Sequence, residues 1–240
     1  MLLGLSLFLN LLLLAAALVV IRRKGGWQFL KARLVSRGVM RDRVLEKYEN
    51  AYYLNKRELF ALYPHDPHDI VLLGDSLTDY CAWNELFGEA RLKNRGISGD
   101  KLAGVLARLD SVLAVPPAAV FVLIGINDLN EGTEVAALLA RYQELLARLR
   151  AGAPAARLHV QSVLPVDTFR WRAETNVRIT EFNQGLKALA EEAGATYIDL
   201  HPLFLDGDRL DDRYTHDGLH LNGTGYVRWK GALAPYLAAL

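Results

Sequence analysis

Ile70-Val71-Leu72-Leu73-Gly74-Asp75-Ser76-Leu77 is the stretch on which the fold turns. Its four leading apolar residues have no polar break, the pattern of a strand buried on both faces. Gly74 ends the run, and Asp75-Ser76 stand where a helix should begin. Backbone N–H groups are unpaired at such a helix start, and the dipole there favours negative charge. A serine in that place is positioned to be a nucleophile. Taken alone, it is more often a helix cap.

The same punctuation recurs downstream. Strands are expected at 70–74, near 91–95, at 118–124, at 158–164 and at 195–199. Helices are expected near 76–88, 100–114, 134–151, 174–193 and 223–239. Runs such as Ala119-Val120-Phe121-Val122-Leu123-Ile124 again call for burial on both faces. Strand–helix alternation implies parallel strands joined by right-handed crossovers, hence a three-layer α/β domain. In such sheets ligands bind outside the carboxyl ends of the strands. Ser76, Gly96, Asn127 and the region after Leu164 all fall at those ends, so residues far apart in sequence should meet on one edge.

A serine hydroxyl needs a base to take its proton. His220 is the best candidate, and Asp217, three residues earlier, can hold one ring nitrogen and stabilise the imidazolium. Attack on an ester carbonyl creates an oxyanion that needs preorganised donors. The backbone N–H groups of Ser76 and Gly96 and the side-chain amide of Asn127 are the candidates. Asp75 reads as a backbone-bonding residue at the strand–helix turn. Asp128 reads as a cap for the segment after it, and Asp100 as the cap of the next helix. His216 and His220 have the i,i+4 spacing that suits zinc on a helix, but Gly218 and Gly223 argue for a loop and no third ligand is evident. Asp75 also stands where a phosphate-binding turn would want glycines and hydroxyls, so a flavin finds no support. No cofactor and no metal are therefore expected. Phe169-Arg170-Trp171-Arg172 reads equally as a flap over the site and as an exposed loop.

The 240 residues suffice for one sizeable domain plus an appendage. Lys+Arg and Asp+Glu number 28 and 27, a balance that gives no sign of nucleic-acid binding. The single Cys81 excludes an internal disulfide. The balance hides a local asymmetry. Leu2–Ile21 is nearly all apolar and, as a helix, would span roughly 30 Å. Arg22, Arg23, Lys24, Lys31, Arg33, Arg37, Arg41 and Arg43 follow it. A cleaved signal peptide should carry a basic start and a shorter apolar core. A buried core helix fits poorly with the Arg-Arg-Lys flank. The expectation is a retained transmembrane anchor at 1–24, with the domain on the cytoplasmic side. A juxtamembrane helical arm follows at 25–65, packing on the domain or lying on anionic lipid. Tyr63-Pro64-His65-Asp66-Pro67-His68-Asp69 is a turn-rich break that starts the catalytic domain at 66–240.

Four segments together, Gly74-Asp75-Ser76-Leu77, Asn94-Arg95-Gly96, Gly125-Ile126-Asn127-Asp128 and Asp217-Gly218-Leu219-His220, resemble the four blocks of the SGNH (GDSL-type) hydrolases. The resemblance covers about residue 69 to the end. It implies a flavodoxin-like five-stranded parallel sheet and metal-free esterase or lipase chemistry. It carries over Ser76 as nucleophile, Gly96 and Asn127 as oxyanion donors, and Asp217 with His220 as the relay. Trp83-Asn84-Glu85-Leu86-Phe87, Gly96-Ile97-Ser98-Gly99-Asp100 and Val105-Leu106-Ala107-Arg108-Leu109 are similar to the catalytic subunits of intracellular platelet-activating-factor acetylhydrolase, which hints at a short acyl group. The expected substrate is a lipid or short-acyl ester. O-acyl transfer through the same acyl-enzyme and deacetylation of sugars remain alternatives, and a binding protein without turnover is the rival from another class.

Overall fold

The computed structural model describes residues 39–168 and 173–240. The compact unit that carries the sheet runs from Tyr52 to Leu240. Helix α1 (Val39–Leu62) is followed by β1 (Ile70–Gly74), α2 (Ser76–Asp79), α3 (Trp83–Phe87) and β2 (Leu92–Gly96). Next come α4 (Leu102–Ala107), α5 (Leu109–Val112), β3 (Ala119–Leu123), α6 (Ile126–Asn130) and α7 (Val135–Gly152). The remainder is β4 (Arg157–Gln161), α8 (Ala173–Glu192), β5 (Thr196–Ile198), a small hairpin β6 (Leu205–Asp206) and β7 (Arg209–Leu210), and α9 (Gly223–Leu237).

The main sheet has the order β2-β1-β3-β4-β5, and every neighbouring pair is parallel. This is the flavodoxin-like order, whose topological switch lies beside the first strand. Gly74 pairs with Gly96 on one side and Leu123 on the other, so the ends of three strands lie level.

Alternation along the strands sends successive side chains to opposite faces. Val71, Leu73, Val120 and Val122 pack with Leu102, Leu109, Tyr142 and Phe182 from α4, α5, α7 and α8. Ile70, Leu72, Phe121 and Leu123 pack with Trp83, Trp229 and Leu233 from α3 and α9. Burial on both faces is why these strands read as unbroken apolar runs.

Three expected elements are cut short. The helix expected at 76–88 is two short ones, because the chain turns after Asp79 so that the Trp83 indole can donate to the Thr78 carbonyl at 2.8 Å. The helix expected at 100–114 breaks at Arg108, whose side chain turns inward to a buried carboxylate. The fourth strand stops at Gln161. Beyond it Pro165 has no N–H for a ladder, and the α8 amides take over: Asn183 Oδ1 accepts from Val163 N–H at 2.8 Å and Asn176 Oδ1 from Val166 N–H at 2.9 Å.

The expectation of a transmembrane helix preceding the domain is corrected. Among the described residues no helix is long and apolar enough to cross a membrane. The segment 1–24 lies outside them. Helix α1, the one element that precedes the sheet among them, carries Arg41, Asp42, Arg43, Glu46, Lys47, Lys56, Arg57 and Glu58 along its length. The single-pass, membrane-anchored placement is withdrawn with the anchor. From Tyr52 onward α1 belongs to the sheet's own unit. Tyr53, Lys56, Arg57 and Phe60 face the domain at helical spacing, and Phe60 is buried.

Candidate active site

Gly74 closes β1 because nothing larger fits: a Cβ there would collide with the Thr78 hydroxyl and the Leu123 carbonyl. Asp75 then caps α2, its Oδ1 accepting from Leu77 N–H at 3.0 Å. Ser76, the first residue of α2, therefore takes its position from a strand end and a cap.

Ser76 Oγ lies 3.0 Å from His220 Nε2, although 144 residues separate them in sequence. His220 Nδ1 lies 2.6 Å from Asp217 Oδ2. The other Asp217 oxygen accepts the N–H groups of Leu219 at 3.0 Å and His220 at 2.8 Å. Thr215 Oγ1 donates to the His220 carbonyl at 2.7 Å, and Gly218 turns the loop with φ +84°. This loop, not a helix, carries His216 and His220, which removes the geometry that a helical zinc pair would need. Among the described residues no cluster of three His, Cys, Asp or Glu could hold a metal. Partial burial opposes ionisation of Asp217. The His220 imidazole and the two backbone N–H groups outweigh it and hold the carboxyl at about 2. Asp217 is thus a carboxylate throughout the pH range in which a histidine base works.

Of the N–H groups expected to serve as oxyanion donors, that of Gly96 has an internal acceptor. Gly96 N–H is buried and donates to Asn94 Oδ1 at 2.8 Å. The Asn94 amide in turn donates to the carbonyls of Thr78, Asp79 and Cys81 at 2.9, 3.1 and 2.9 Å. A Cβ on Gly96 would run into the backbone of Asp79. Glycine is required at 96 so that β2 can lie against α2, and its N–H is already engaged. Gly99 has the properties that Gly96 lacks. It is exposed, has φ +77° and has open space around its Cα. Its N–H donates to no acceptor among the described residues. The Ser98-Gly99-Asp100 turn, closed by Asp100 N–H to the Ile97 carbonyl at 3.0 Å, was the sequence signal for it.

Among the described residues the Ser76 N–H likewise has no acceptor, as expected at the first turn of a helix. Asn127 opens α6 after Gly125, whose φ of 134° is open to glycine. One of its amide protons goes to the Asp100 carbonyl at 2.8 Å, which orients the side chain and leaves the second proton to donate elsewhere.

Beneath this edge lie three buried acids. Asp100 Oδ2 meets Arg108 Nε at 2.8 Å, and Arg108, fully buried, also donates to the Gly74 carbonyl at 3.1 Å. Asp128 Oδ2 accepts from Leu102 N–H at 3.0 Å, so it caps α4 and not the segment after it. Asp100, expected to cap that helix, is the partner of Arg108 and receives only the Lys101 N–H from the helix start. Burial pushes Asp75 up to about 7 and Asp100 up to about 6, and raises Asp128. Tyr80 covers the imidazole, its ring centroid 5.0 Å from that of His220 and its hydroxyl 2.9 Å from Ser98 Oγ. The flap reading of Phe169–Arg172 lies outside the described residues.

Residues 72–228 match the GDSL-like Lipase/Acylhydrolase family, and the chain belongs to it. It is 30% identical over 167 residues to the bovine (Bos taurus) platelet-activating factor acetylhydrolase IB subunit alpha1, covering 66% of this chain and 70% of that protein. Among solved structures, a Streptococcus pneumoniae protein provisionally described as a platelet activating factor superposes with a TM-score of 0.76 at 26% identity, over 83% of this chain and 99% of that one. A GDSL-like lipase from Bacteroides thetaiotaomicron gives 0.69 at 23% identity, over 79% and 99%. This protein is a carboxylic ester hydrolase of that family.

Proposed function

We propose that this protein hydrolyses short-acyl esters, acetyl esters foremost, through an acyl-enzyme on Ser76. The observation that carries the reading is the unbroken contact chain from Ser76 Oγ to His220 Nε2, at 3.0 Å, and from His220 Nδ1 to Asp217, at 2.6 Å. Ser76 Oγ attacks the acyl carbon while His220 Nε2 takes its proton. The imidazolium, held by the Asp217 carboxylate, returns the proton to the departing alkoxide. Water then attacks the acyl-enzyme, gives its proton to His220, and the carboxylic acid leaves as Ser76 recovers its proton.

The oxyanion is stabilised by the Ser76 N–H, the Gly99 N–H and the Asn127 side-chain amide. Gly99 takes the place expected of Gly96 because the Gly96 N–H is spent on Asn94. The short acyl group rests on similarity to a protein named an acetylhydrolase. Aryl esters of rising acyl length, run on the protein and on Ser76→Ala, test both parts. The variant should lose activity by about 10³-fold or more. Persistent turnover by Ser76→Ala removes the nucleophile. A rate that climbs with acyl length removes the acetyl preference and points to a longer-chain lipase.

A further inference from the structure

Asp79 ends α2, three residues after Ser76, and its carboxylate has only 2% of its surface exposed. Three donors converge on it. Lys56 Nζ reaches Oδ1 at 2.7 Å, the Tyr52 hydroxyl reaches Oδ2 at 2.6 Å, and the Ser98 N–H reaches Oδ2 at 2.9 Å. Two of the three come from α1, which precedes the stretch that matches the family. The third is the amide one residue before Gly99. Burying a carboxylate is costly unless it is paired and hydrogen-bonded. Here Lys56 supplies the charge, and Ser98 is the group fixed in return.

The same helix touches the edge at two more points. The Tyr53 hydroxyl donates to the Gly104 carbonyl at 2.8 Å. The Phe60 ring lies under the guanidinium groups of Arg95 and Arg108, at 5.1 and 5.7 Å. Arg108 in turn holds Asp100 at 2.8 Å, on the other side of Gly99. The Gly99 amide is thus clamped from both neighbours, Ser98 through Asp79 and Asp100 through Arg108, and both clamps are backed by α1.

We propose that Tyr52 and Lys56 are positioning residues of the active site, holding Asp79 so that Asp79 fixes Ser98 and thereby aims the Gly99 N–H at the reacting oxygen. The effect on rate rests on the esterase reading above. Preorganised donors act on the transition state more than on bound substrate. The loss of this support therefore has a signature that general loosening lacks.

The test uses the full chain with Tyr52→Phe/Lys56→Met and with Lys56→Arg. On an aryl acetate the double variant should lose about 10-fold in kcat with KM within about 2-fold, since removal of one such donor costs about 10²–10³. Inhibition by phenylboronic acid, whose tetrahedral adduct carries the oxyanion's charge, should weaken by the same factor as kcat. Lys56→Arg, which keeps the charge, should recover most of the rate. Unchanged kcat overturns the proposal, and so does a fall in kcat that leaves boronate inhibition untouched. Amide hydrogen exchange at Ser98 provides a readout that needs no turnover: it should speed up in the double variant while β3 amides stay protected. Unaltered exchange at Ser98 overturns the proposal even if the esterase reading has already failed through an active Ser76→Ala.

Discussion

Ser76 stands between two differently built halves. On its imidazole side, Asp217 and His220 come from one short loop, bonded almost entirely within Thr215–Leu221. That side is open: the Asp217 side chain is 54% exposed and that of His220 29%. On the side proposed to hold the oxyanion, Gly99 and Asn127 are placed by β2, α2, α6 and α1 together, over the buried Asp100–Arg108 pair. The proposed relay is local, whereas the proposed oxyanion side is distributed over several elements and backed by a buried acid–arginine pair. Damage to the first should therefore cost rate and spare the fold, while damage to the second should cost both.

The largest expected effect is on the relay. Asp217→Asn should lower kcat/KM on an aryl acetate by about 10³–10⁴-fold, because the amide neither fixes the imidazole tautomer nor stabilises its charge. Its thermal midpoint should stay close to that of the parent. A collapse in melting temperature alongside the rate would break the contrast, since it would make the loop part of the scaffold.

On the other side, Arg108→Met leaves Asp100 buried without its cation. Breaking such a pair costs about 3–5 kcal/mol. Asp100 can escape part of this by binding a proton, so the deficit in urea unfolding should be smaller at pH 5 than at pH 8. A deficit under about 1 kcal/mol at pH 8 would mean that the pair does not hold this edge.

The smallest effect sharpens the comparison through pH. Asp75 has a folded value of about 7, raised by burial above its ordinary 3.8. Between those values the folded chain binds more protons than the unfolded one, so this contribution to stability is lost as pH rises from about 4 to 7. His159, buried between Phe121 and Tyr236, is lowered to about 4 by burial, and its contribution is lost as pH falls from 6.5 toward 4. Asp75→Asn keeps the cap oxygen and removes the first slope. Its stability relative to the parent should rise between pH 5 and pH 8, followed by urea midpoints. A difference flat with pH would show that the Asp75 carboxyl titrates alike in the folded and unfolded chain.

Much of this architecture was legible in the residues. The apolar runs at 70–74 and 119–123 announced central strands because burial on both faces leaves no room for polar alternation. Asp217 and His220, three apart, could be read as a pair because their contact is local. The breaks at Asp79 and Arg108 were hidden, since a buried arginine that turns in to a carboxylate has no periodic signature. So was the choice between Gly96 and Gly99. Both lie in one glycine-containing turn, and only the Asn94 side chain, reaching back along β2, shows which N–H is spent. The anchor expectation rested on a segment outside the described residues, and α1, read as an arm, packs Tyr53 and Phe60 on the domain.

By itself the sequence determined the strand–helix order, and with it the side of the sheet on which Ser76, Gly96 and Asn127 lie, because parallel crossovers bring every strand's carboxyl end to one side. Only the tertiary structure decided the partners along that edge. It set Gly99 in place of Gly96 as the open donor, joined Asp79 to Tyr52 and Lys56, and made Asp128 the cap of α4. The reason is physical: a hydrogen bond is chosen by distance and direction at about 3 Å, and those are set by packing between segments that the chain order leaves far apart.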